Sequence, residues 1–329
     1  MNQSMKGDHL AILDWLLSQK ILRFASPGGD DDSVVWPSMD SFIRLYEQLC
    51  APYSTPVDRA IVGGFVADRL AYAFIAGYQA ALRRLLPSLP LAPLAALCVT
   101  EKGGAHPRAI ESRLTAIDGA KDNAAWRLDG SKQFVTCADE VEYLLVVAST
   151  GIGAGGRKRL RVVLLNRNMP GLTIKPMKPL PFVPEISHGT LHLEEVIVEA
   201  SQLLPGDGYT DYVKPFRAIE DLHVFAAMLA YLYRIASQYD WQRAQKEQLI
   251  SLLLTTRTLS LAEPSAPALH IALGGLQTQI ENFLDQSTPY WAQTDATVRQ
   301  AWQRDKALMN IAKKAHYKRL AAAWAHYRK

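Results

Sequence analysis

Thr100 and Glu101 close an apolar run, Leu97-Cys98-Val99, and run into Gly103-Gly104, His106 and Arg108. A hydroxyl, glycine N–H groups, an imidazole and a guanidinium so close together can grip a phosphate or the polar rim of a planar cofactor. The same residues also suit a plain tight turn, and both readings stay open on these residues alone.

Other chemistries find less support. His188 and His192 lie four apart in a strand-like run and His223 and His270 stand alone in helical ones, which fits structural or surface histidines better than metal ligands. There is no G-x-S-x-G, the turn that exposes a hydrolase serine. The glycine-rich Gly151–Gly156 joins two strand-like runs and meets Arg157-Lys158-Arg159, so no helix N-terminus follows to hold a dinucleotide phosphate. The three cysteines, Cys50, Cys98 and Cys137, show neither a pairing pattern nor metal-ligand spacing.

The elements that must position these residues fall into three stretches of the 329-residue chain. Apolar residues at helical spacing, such as Leu10, Leu13, Leu16 and Leu17, predict helices up to about Leu85, with one long small-residue-rich segment over Ala60–Arg84 and an acidic linker at Ser26–Ser33. From Leu91 the runs are short, β-branched or aromatic, and bounded by turn residues. Asp129-Gly130 between two of them predicts a hairpin, and the absence of intervening helices predicts an antiparallel sheet or barrel. After Gly206-Asp207-Gly208 the pattern returns to four helices, over Tyr212–Tyr239, Asp240–Ser260, Pro267–Leu284 and Thr294–Tyr327. The expected architecture is α+β: an N-terminal helical domain (1–90), a middle antiparallel β domain (91–208) and a C-terminal four-helix bundle (209–329).

A net charge of +4 is too small to imply nucleic acid, although residues 299–329 carry nine Lys or Arg against the single acid Asp305. Of the two uncharged runs, Leu70–Leu82 is short and Leu85–Thr100 holds Pro87, Pro90 and Pro93, so no membrane span is expected. The first residues lack a basic-then-apolar layout, and the cysteine usage fits a reducing compartment; the expectation is a cytoplasmic protein.

"CVTEKGG", followed by "LDGSKQFVTCADEVEYLLVVAS", resembles the middle domain of the acyl-CoA dehydrogenase superfamily. That family shows a T-E-x-x-x-G-S-D-like loop and then L-x-G-x-K-x-[WF]-I-T, matched here by Thr100-Glu101, Leu128, Gly130, Lys132, Phe134, Val135 and Thr136. "MPGLTIKPM" and "LHLEEVIVEASQLLPGDG" resemble the elements that close the same domain, and the resemblance is specific over about Ala95–Gly208.

The resemblance implies an FAD-dependent oxidoreductase that dehydrogenates an acyl-CoA or related thioester at its α,β bond. A flavin monooxygenase of the same fold and a flavin-free binding protein are the alternatives. It further implies a place in lipid metabolism and a homodimer or homotetramer. Thr100 and Thr136 would bond the polar edge of the flavin, Phe134 would pack on its ring where the family often has Trp, and the backbone around Val99 and Val135 would add donors. The phosphate loop would be Gly103, Gly104 and its neighbours. There the family's Gly-Ser-Asp has become Ala105-His106-Pro107, leaving His106 and Arg108 as the replacement donors. The family's usual Glu in a turn between the last two helices is missing, since Thr288–Arg304 holds only Asp295 as an acid. A minority of the family place the base on the first helix of the bundle, which points to Glu220; Asp221 lies about 100° round that helix.

Overall fold

The computed structural model describes residues 10–19, 36–117, 125–310 and 313–328; the acidic linker at Ser26–Ser33 lies outside them. The chain divides into two compact units, one made of residues up to Ala81 together with Ile219 onward, the other of Leu82–Ala218.

The first unit is helical. Its early helices are α1 (Ala11–Ser18), α2 (Met39–Cys50), α3 (Pro56–Val66) and α4 (Leu70–Leu85). The small-residue-rich segment over Ala60–Arg84 spans most of α3 and α4. Ala67 turns extended, with ψ 132°, while the indole Nε1 of Trp36 donates to the Val66 carbonyl at 2.9 Å and satisfies the end of α3. The later helices are α5 (Lys214–Gln238), α6 (Arg243–Ser260), α7 (Pro267–Ser287), α8 (Ala296–Asp305) and α9 (Lys313–Tyr327). The first three fall where the sequence placed them. The expected last helix is divided: Lys306–Asn310 is 3-10 in geometry. α3 and α5 approach so closely that a Cβ on Gly64 would overlap the Ala227 backbone, and Asp58 on α3 meets Arg257 on α6 in a buried two-point ion pair at 2.6 and 2.9 Å.

The second unit is a seven-stranded sheet of β1 (Ala95–Cys98), β2 (Arg113–Ala116), β3 (Trp126–Thr136), β4 (Tyr143–Ile152), β5 (Lys158–Asn166), β6 (Leu172–Pro176) and β7 (His188–Val198). The order is β1-β4-β2-β3-β7-β6, with β5 on β4. Most pairs are antiparallel as expected, but β1 and β2 both run parallel to β4, so the sheet is mixed. β4 is buried continuously from Leu144 to Ser149, as a strand covered on both faces must be. The core beneath the sheet gathers Leu128, Val135, Val146, Leu191 and Val196.

Asp129-Gly130 is not the expected hairpin turn. Both residues lie inside β3, at a register shift against β7. Gly130 has φ +149°, and a Cβ there would overlap the Ser112 side chain, so the glycine answers a close approach within the sheet rather than a reversal. The hairpin partner of β3 is β2, and Ile117 N–H donates to the Ala125 carbonyl where that pairing begins.

Candidate functional site

β1 delivers the chain to Val99 and Thr100, both half-buried. A tight turn follows: Glu101 N–H donates to the Gly104 carbonyl at 3.1 Å, and Gly104 N–H returns to the Glu101 carbonyl at 2.8 Å. The Glu101 side chain is buried under this turn. It accepts from Lys132 Nζ at 2.5 Å, Glu111 N–H at 2.6 Å, Ser112 N–H at 3.1 Å and Ser112 Oγ at 2.8 Å. Lys132 is fully buried. Burial opposes the charge on Glu101, but the Lys132 ammonium and the N–H and O–H donors outweigh it and hold the carboxyl below its ordinary range. Burial draws Lys132 below the usual lysine value against the pull of Glu101. The pair ties the Thr100 loop to the middle of β3.

The sequence marks Glu101 and Lys132 as motif positions but carries no sign that they form a pair.

Directly after Lys132 the strand bulges. Gln133 N–H donates to the Thr100 carbonyl at 2.7 Å, and the register against β7 shifts between Lys132 and Val135. Phe134 takes φ +58°, a conformation that costs a non-glycine residue about 1–3 kcal/mol and persists only where its surroundings enforce it. The bulge leaves Phe134 46% exposed while the Val135 side chain, 1% exposed, enters the core. Thr136 follows, half-buried. The structure thus gathers Val99, Thr100, Phe134, Val135 and Thr136 at one end of the sheet, with an exposed aromatic residue and two half-buried threonines.

The expected phosphate loop is partly committed to itself. Gly104 spends its N–H in the turn. His106 Nδ1 accepts from Arg108 N–H at 3.2 Å and caps the short turn Pro107–Ala109, which leaves Nε2 as the donor of a neutral ring. Gly103, His106 and the Arg108 side chain are exposed.

A groove of about 1290 Å³ opens along β2, the β4–β5 hairpin and Gly206-Asp207. Its lining includes Arg113, Arg159, Arg161, Trp126 and Ile152. Arg161 donates through Nη2 to the Leu204 carbonyl at 2.9 Å, while its buried Nε has no hydrogen-bond partner. Glu111, whose N–H holds the Glu101 carboxylate, lines the same groove.

Glu220 belongs to the helical unit, on α5, half-buried. Its neighbour Asp221 is bound by Arg319 from α9 at 2.5 Å. Asp295, the remaining acid of the last segment, accepts from Tyr239 Oη at 2.8 Å. Among the described residues no three His, Cys, Asp or Glu side chains converge as a metal site, and no helix is long and apolar enough to cross a membrane.

The family model "Acyl-CoA dehydrogenase, middle domain" matches residues 96–196, the stretch that builds this sheet. The probable acyl-CoA dehydrogenase FadE10 of Mycobacterium tuberculosis is 27% identical over 135 residues, a stretch covering 41% of this chain and 20% of that relative. Among solved structures, butyryl-CoA dehydrogenase from Megasphaera elsdenii aligns with a TM-score of 0.57 at 14% identity, over 89% of this chain and 99% of that one. FMN-bound TdsC from Paenibacillus sp. A11-2 aligns with a TM-score of 0.66 at 12% identity, over 88% and 90%. Residues 96–196 thus match the acyl-CoA dehydrogenase middle domain, and the chain shares the fold of these solved structures.

Proposed function

We propose that this chain is a flavin-dependent oxidoreductase that binds FAD and dehydrogenates an acyl-CoA or related thioester at its α,β bond. The observation that carries the reading is Phe134: an aromatic residue exposed on a strained bulge, two residues before Thr136 and next to Gln133, whose N–H holds the Thr100 carbonyl. An apolar plate with a polar rim fits one face of an isoalloxazine ring, by dispersion and quadrupole attraction at the plate and hydrogen bonds at the rim. A bound flavin would supply two-electron, hydride-accepting chemistry.

The chain's own residues do the rest. Phe134 excludes water from the ring, the backbone at Val99 and Val135 adds donors, and Thr100 and Thr136 orient it. His106 Nε2–H and Arg108 offer donors to the pyrophosphate, the guanidinium with the better fork geometry. The cations Arg113, Arg159 and Arg161 line a groove open enough for the phosphates of a CoA thioester. Glu220 takes the α-proton of the thioester as the general base, while Asp221 stays with Arg319.

Purified protein titrated with FAD and with FMN tests the cofactor, by visible absorbance and flavin fluorescence. Anaerobic mixing with acyl-CoAs of several chain lengths tests the substrate, by bleaching of the flavin band. Uptake of FAD with bleaching by a thioester supports the reading; no uptake of either flavin leaves a flavin-free binding protein. Flavin uptake with bleaching by none of the thioesters, and oxygen consumption with another reductant, would favour the monooxygenase, a reading to which the commitment of Asp295 to Tyr239 lends support.

A further inference from the structure

The open face of the β3–β7 pair extends the Thr136 surface onto a second strand. Thr136 stands directly opposite His188 in the antiparallel register, and Ser131 opposite His192. Along β7 the buried positions Gly189, Leu191 and Leu193 alternate with the half-buried His188, Thr190 and His192. Residues paired across a strand share a face, so His188 and Thr136 are neighbours on the side away from the core.

The imidazole of His188 is fixed. Its Nδ1 lies 3.0 Å from the Ile186 carbonyl, and a carbonyl only accepts, so Nδ1 carries the proton. Burial holds its pKa below the ordinary histidine value, against the smaller opposing effect of that hydrogen bond, so the ring is neutral at neutral pH. A neutral ring protonated at Nδ1 keeps Nε2 as an acceptor. Thr100 and Thr136 can each donate or accept, whereas His188 adds a group of one fixed sense.

We propose that His188 belongs to the cofactor site, its Nε2 accepting a hydrogen bond from an N–H or O–H donor of the flavin. A flavin carries such donors on its pyrimidine edge and along its ribityl chain. This inference rests on the flavin reading, and it makes β7 the second strand of the binding surface.

Two substitutions separate this role from a structural one. In His188→Asn the amide reproduces the Nδ1 position and keeps the Ile186 hydrogen bond while losing Nε2. In His188→Gln the longer side chain reproduces the Nε2 position with an oxygen acceptor. Flavin dissociation constants are measured by fluorescence titration, with flavin-free melting temperatures alongside. The expected result is about tenfold weaker flavin binding by His188→Asn at an unchanged melting temperature, and near-native binding by His188→Gln, the loss matching one hydrogen bond. Native affinity in His188→Asn, or equal losses in both variants, would overturn the inference. A wild-type chain that takes up neither FAD nor FMN overturns the cofactor reading, and this inference with it.

Discussion

Lys132 is the residue on which the geometry of the site most depends, although it touches no candidate ligand. Its ammonium is fully buried against Glu101, and a buried charge left without its partner costs about 3–5 kcal/mol. Lys132→Met is expected to destabilise the protein by about that much in denaturant unfolding, and to weaken flavin binding by freeing the Thr100 loop. Glu101 adds a pH dependence. Its folded-state pKa is depressed, so its contribution is present above the unfolded carboxylate value, about 4.3, and is lost as pH falls through the lower folded value. Glu101→Gln should flatten that acid limb of the stability profile. Phe134 makes the opposite case. Glycine accepts a φ of +58° without strain, so Phe134→Gly should hold or raise the melting temperature while flavin affinity falls at least tenfold. A fall in both together would mean that Phe134 is a packing residue.

At the level of elements, much of the scaffold was legible because apolar spacing is a local signal. The first three helices of the C-terminal segment and most strand runs fall where periodicity placed them. What was not legible depended on distant residues. Asp129-Gly130 has the chemistry of a tight turn, yet Ser112 arriving from β2 makes the glycine necessary inside a strand. The parallel pairing of β1 and β2 with β4 leaves no mark in strands so short. The loop chemistry at Thr100 was legible, but the fourfold acceptance of hydrogen bonds by Glu101 was not, because Glu111 and Ser112 precede β2 and Lys132 comes from the middle of β3. The helical unit shows the same dependence at Gly64, which lets α3 lie against the Ala227 backbone of α5. Gly64→Ala should therefore cost about 1–3 kcal/mol or more by chemical denaturation, the range of an overpacked core, even though alanine is the better helix former.

Across the whole chain, the candidate cofactor residues and the candidate base belong to different compact units. Val99 through Thr136 lie within Leu82–Ala218, whereas Glu220 lies just past the boundary, on α5. This division predicts separable effects. Thr136→Val removes a rim hydroxyl and should weaken flavin binding about tenfold, the worth of one hydrogen bond, with little change in proton abstraction once flavin is saturating. Glu220→Gln keeps the shape of the side chain and removes its basicity. It should leave flavin affinity and the flavin spectrum unchanged while slowing anaerobic bleaching by an acyl-CoA about 10²- to 10⁴-fold. Asp221→Asn provides the contrast: it breaks the ion pair with Arg319, so it should lower stability while leaving the bleaching rate within a few-fold of wild type. Stopped-flow absorbance with each variant loaded with flavin reads all three. Bleaching that survives Glu220→Gln at the wild-type rate would remove Glu220 as the base while leaving the Phe134 surface, and the cofactor assigned to it, intact.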